Sequence, residues 1–138
     1  MTKEELINSV KQIVALSKEG KLDEMYAGYT KLFDDPAFGK GRPEDQRQAL
    51  KLMVHSKQKP AKPSPAMIAA HTSAIAPLTE LVSTQNEPAD FEMLGMCHLL
   101  LGHSEAASNL YRAGLTIERE RNSGSDLCGT LMRRVSEL

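Results

Sequence analysis

Apolar residues in this chain recur every three or four positions, and no segment alternates apolar with polar at the period of two that a strand requires. That property commits the backbone to helices. Thr2 and Glu5 have the spacing of a capping box, and behind them Leu6, Ile7, Val10, Ile13 and Val14 form one face of a first helix that Gly20 ends. Leu22, Met25, Tyr26, Tyr29, Leu32 and Phe33 form a second, stopped at Asp34-Asp35-Pro36. A turn this short makes the two antiparallel neighbours. Pro43 with Glu44 and Asp45 opens a third helix with a thin apolar face of Ala49, Leu50, Met53 and Val54. A Lys- and Pro-rich loop follows at 57–65. Ser64 and Pro65 then start a fourth helix carrying Met67, Ile68, His71, Ile75, Leu78 and Leu81, which Pro77 should kink or split.

The last three helices are predicted on the same grounds. Asn86 and Pro88 begin a fifth that is apolar on more than one face, from Phe91 to Leu101, and Gly102 closes it. Ser104 and Glu105 start a sixth, and Ser125 with Asp126 cap a seventh that carries Leu127, Leu131, Val135 and Leu138. The expected fold class is therefore all-α, about seven helices in a single domain over 1–138. The pairs fall at about 2–35, 43–83 and 87–121, with a last helix at about 125–138. Composition agrees: aromatics are only 4% of the chain, with no Trp and seven Met, too few for a β-sandwich or for a nucleic-acid platform of stacked rings.

Residues 91–114 carry the most specific pattern. It reads Phe91, Leu94-Gly95, His98, Gly102, Ala107, Tyr111, Gly114. This resembles the tetratricopeptide repeat, with a Leu-Gly after an aromatic, a turn glycine, a small Ala and a second aromatic four residues on. His98 stands where the family has Tyr, Gly114 replaces a second Ala, and Arg119 replaces the closing Pro. The first pair fits more loosely: aligning Gly20 with Gly102 places Met25 at the small position and Tyr29 at the aromatic one. These glycines are 82 residues apart, so two repeats of about 34 leave about 14 residues for the loops at 38–42 and 57–65. The resemblance implies a TPR-like α-solenoid of three antiparallel helix pairs closed by a C-terminal capping helix.

Charge is balanced overall, at 17 basic and 18 acidic residues, which removes a general attraction to nucleic acid. It is not evenly spread. Residues 37–62 hold seven basic and two acidic residues, and every lysine lies at or before Lys62. Such a stretch is either a solvated face or a docking patch for an acidic partner. Cys97 and Cys128 lie in apolar helical patterns, as buried reduced thiols would, and the charged start lacks the apolar run of a signal peptide. No apolar run approaches a membrane span. The expectation is a cytoplasmic protein without membrane insertion.

No residue set points to catalysis, a metal or a cofactor. Cys97, His98 and His103 have no tetrahedral spacing, with His103 beyond the turn glycine, and Asp34-Asp35 is ordinary helix-stop chemistry. His71 lacks the Lys-Gly that follows a phosphotransfer histidine and is expected in the core or a groove. The resemblance implies a concave face formed by the first helices of each pair. There it places Glu92, Met96, Leu99 and Leu100, with Val10, Val14 and Ser17 as the first-pair equivalents. Arg47, Lys51 and His55 add a basic side for an acidic partner. Leu99 and Leu100 equally suit packing beneath a neighbouring pair. The expected function is a non-catalytic adaptor or scaffold that binds a helical or extended peptide in a Met- and Leu-lined groove. The alternatives are a small chaperone for a secreted or assembling partner and a self-associating subunit such as a homodimer.

Overall fold

The computed structural model describes residues 1–138 and contains α1 (Lys3–Lys18), α2 (Leu22–Asp34), α3 (Pro43–Val54), α4 (Pro65–Gln85), α5 (Pro88–Leu100), α6 (Ser104–Asn122) and α7 (Asp126–Ser136). A 3-10 turn at Phe38–Lys40 completes the regular structure, and there is no strand. The chain packs as two compact units, Met1–Pro77 and Leu78–Leu138, with the boundary inside α4. Pro77 does not split α4, which is helical on both sides of it. The missing proline donor costs one backbone bond, and the rest of a 21-residue helix is enough to carry it. No helix is long and apolar enough to cross a membrane.

The predicted caps form. Thr2 N donates to Glu5 Oε1 at 3.0 Å and Glu5 N to Thr2 Oγ1 at 3.1 Å. Ser64 Oγ accepts from Met67 N at 3.1 Å, and Ser125 Oγ from Cys128 N at 3.0 Å. Each satisfies an amide that the first helical turn cannot pair internally.

In the first unit α1 and α2 form an antiparallel hairpin across Gly20. All four of the unit's aromatics are buried, and Tyr29, Phe33 and Phe38 form a ladder with ring centroids 5.7 and 5.2 Å apart. Gln46, itself buried, holds the 3-10 turn by donating from Nε2 to the carbonyls of Gly41 (2.8 Å) and Gly39 (3.3 Å). Lys3 at the start of α1 reaches Asp45 of α3 at 3.9 Å.

In the second unit α5, α6 and α7 pack in sequence. A Cβ at Gly95 would collide with the Tyr111 ring, 2.8 Å from Cδ1, and one at Gly114 would lie 2.9 Å from Phe91 Cβ. These two contacts bring α5 and α6 together. Tyr111 also forms the centre of the α6–α7 interface with Ala107, Leu115, Cys128 and Leu131. Arg121 near the end of α6 donates from Nη1 to Glu87 Oε2 at 2.9 Å and so closes the hairpin at its open end. With Arg119 in place of a proline, α6 continues to Asn122.

The hairpin turns of α1–α2 and α5–α6 are the same structure. Gly20 and Gly102 have φ of +76° and +85°, a left-handed conformation that glycine adopts without steric cost. Lys21 N bonds the Leu16 carbonyl as His103 N bonds that of His98, and Gly20 N bonds Ser17 as Gly102 N bonds Leu99. This is a Schellman motif in both places. The packing above the turn differs. In α1–α2 the close approach is made by Gly28 of the second helix, where a Cβ would lie 2.8 Å from Ile13 Cγ1. In α5–α6 it is made from both sides, by Gly95 of the first helix and Gly114 of the second. The small residue at a close crossing can come from either helix.

Candidate functional site

The first unit carries two adjoining grooves along α1 and α3. The larger, about 480 Å³, is lined by Val14, Ser17 and Lys18 of α1, Met25 and Tyr29 of α2, and Gln48, Lys51 and Leu52 of α3, with residues 55–58 at one end. The smaller, about 280 Å³, lies between Leu6, Ile7, Val10 and Lys11 of α1 and Asp45, Ala49 and Leu52 of α3, with Lys3 and Gln48 at its edges. Gln48 and Leu52 border both, so the two form one continuous surface.

Amphipathic spacing explains the surface. Ile13, Met25 and Tyr29 turn into the core, at 5% exposure or less, while Val10 and Val14, one helical step aside, are half-buried. Leu52 follows the α3 core residues Ala49 and Leu50 and precedes Met53, so it faces outward and is 46% exposed. Lys18, Lys51 and Lys57 stand at the rim and take part in none of the chain's salt bridges. Ser17 Oγ donates to Gln58 Oε1 at 2.7 Å, and Ser56 Oγ to the Gln58 carbonyl at 3.0 Å. The start of the Lys/Pro-rich loop is thereby tied to the end of α1. Burial and the neighbouring Tyr26 push the Tyr29 hydroxyl up to about 12, still further from ionisation than a free tyrosine.

Of the residues expected on the concave face, Val14, Ser17, Lys51 and His55 meet in the larger groove and Val10 lies in the smaller. Arg47 is half-buried and lines neither. The others lie in the second unit. Glu92 is buried, and its Oε2 accepts from Arg134 Nε of α7 at 2.9 Å. Met96 packs against the α6–α7 core, Leu100 is half-buried, and Leu99 is 41% exposed. Leu52, Lys18 and Gln58 were not singled out by sequence. Leu52 did carry a signal: it is an aliphatic residue on the otherwise polar side of α3.

His98 and His103 do meet, with their Nδ1 atoms 3.1 Å apart. The Schellman turn brings the third-from-last helical position beside the second residue beyond the cap, and these are the two histidines. Burial and the His103 charge hold His98 below its ordinary pKa. No cluster of three or more potential metal ligands forms. Cys97 is buried, which pushes its thiol up to about 12 and keeps it protonated and unreactive.

His71 is a core residue, 5% exposed and 6.3 Å from the Tyr26 ring. Its Nδ1 is 2.8 Å from the Met67 carbonyl, which only accepts, so Nδ1 carries the proton. Burial lowers its pKa below 6.5, the Met67 carbonyl opposes this, and Lys59 adds to the lowering. Folding therefore favours the neutral ring. The stabilisation is complete above the unfolded value of 6.5 and is lost as pH falls through it. Thermal unfolding between about pH 7.5 and about pH 5.5 should show a falling Tm, with a shallower slope in His71→Gln. An unchanged slope would remove His71 from the explanation.

No family model, curated protein or solved structure matches this chain at a significant level.

Proposed function

We propose that this chain is a non-catalytic protein-interaction module that holds a segment of another protein on the α1–α3 face of its first unit. The observation that carries this reading is the open groove of about 480 Å³ with an apolar floor and a lysine rim. A groove of this size with an apolar floor and a charged rim suits a side-chain anchor flanked by polar contacts. The tetratricopeptide resemblance of residues 91–114 and the repeated Schellman hairpin support an adaptor or scaffold role. Self-association is a second reading, supported by the exposed Leu99 and Met132 at 41% and 48%.

A photo-crosslinking residue at position 52, used in the native cell, tests both. Capture of a different protein from position 52, lost when Val14 is also changed to Asp, is the expected result. No crosslink from position 52, together with a self-crosslink from position 99, would replace the first reading by the second.

A further inference from the structure

We infer that the segment held on the α1–α3 face is an acidic amphipathic helix of another protein; this rests on the docking reading above. The first ground is charge. Lys3, Lys11, Lys18, Lys51 and Lys57 line the two grooves, and the one acidic lining residue, Asp45, already lies 3.9 Å from Lys3. The chain as a whole carries net charge −1, so five lysines against one carboxylate is a local excess and not a general property. A partner with carboxylates along its flanks complements this rim, and the attraction is screened by salt.

The second ground is the floor. Ile7, Val10 and Val14 recur at three and four residues along α1 and face Leu52 of α3, so the apolar stripe runs parallel to the α1 axis. From Lys3 to Ser17 that stripe and its rim span about 21 Å, the length of about four helical turns. Ile7 and Leu52, 41% and 46% exposed, are the apolar side chains left most open on it.

The third ground is the backbone. Both walls of the smaller groove are helices, whose amides and carbonyls are bonded internally, and apart from Lys3, Lys11, Asp45 and Gln48 its lining side chains are aliphatic. An extended peptide laid on this floor would find no protein partner for the backbone groups it turns toward it, whereas a helix brings its hydrogen bonds with it.

The test uses the full chain and synthetic helical peptides of about 16 residues. One carries Leu at i, i+3, i+7 and i+10 with Glu on the flanks. A second has Lys in place of Glu, and a third has the Glu composition scrambled. We expect the Glu peptide to bind at least tenfold more tightly than either control, by fluorescence anisotropy. Its affinity should fall several-fold between 50 and 500 mM salt, and at least tenfold in Leu52→Glu and in Lys18→Glu/Lys51→Glu, whose circular dichroism stays native. Equal binding of the Lys peptide overturns the acidic partner and leaves the docking reading in place. Equal binding of the scrambled peptide overturns the helix. Binding of none of the peptides, in a protein that still crosslinks a partner from position 52, overturns the inference alone; with no crosslink either, both fall. Preferential binding to vesicles containing phosphatidylserine replaces the protein partner with an anionic membrane.

Discussion

Gly95→Ala destabilises the second unit by about 1–3 kcal/mol, the usual cost of forcing a methyl group into a filled core. The added Cβ meets a rigid ring: Tyr111 Cδ1 would lie 2.8 Å away and Cζ 3.0 Å. Tyr111 is fully buried between α5 and α7 and cannot swing aside. The displacement has to be taken up by the helix pair itself. Urea unfolding should show the loss, and Tyr111→Leu in the same chain should remove much of the added penalty, since the two substitutions share one contact. Gly129→Ala is the control. No atom lies within 4 Å of its Cβ position, and it sits inside α7, so alanine there should stabilise by up to about 1 kcal/mol. If both alanines behaved alike, the α5–α6 crossing would not be as close as described.

Leu131→Ala should cost more, about 2–5 kcal/mol, because a fully buried leucine is removed and its neighbours cannot close the space. Those neighbours are Ala107, Tyr111, Leu115 and Cys128, which belong to α6 and α7 and are themselves buried. The substitution therefore asks whether α7 is an integral wall of the second unit or only an appended helix. Met132, the next residue, is 48% exposed, and Met132→Ala should change stability by no more than about 0.5 kcal/mol. A large difference between adjacent positions is the signature of a helix with one buried face. If Leu131→Ala proved as mild as Met132→Ala, the α6–α7 core would be overturned.

The helices and their ends were readable because each signal is local. The Thr2–Glu5 box, the serines at 64 and 125 and the two turn glycines all act within five residues. At the α5–α6 crossing two positions of the repeat pattern, Gly95 and Tyr111, do meet, while Ala107 of the same pattern packs in the α6–α7 core. Gly28 was missed because the alignment on Gly20 assigned the small position to Met25, three residues earlier on the same helix; at the place of Gly28 the aligned α6 has Leu110.

The groove was partly legible. The repeat alignment selected Val10, Val14 and Ser17, and charge selected Arg47, Lys51 and His55; all but Arg47 line the two adjoining grooves. Helical spacing could not select Leu52, since periodicity marks the buried side of α3 and Leu52 stands on the other. Nor could it show that Glu92 is paired with Arg134, 42 residues further along the chain.

Apolar periodicity and capping chemistry, properties of neighbouring residues, were sufficient to make this an all-helical chain with turns at Gly20 and Gly102. Packing between distant helices was needed for the rest. It set which small residue sits at each crossing, which carboxylate is buried against an arginine, and which aliphatic side chains remain open beside the lysines of α1 and α3. Those outcomes depend on the side chains a residue faces across space, and adjacency in the chain does not encode them.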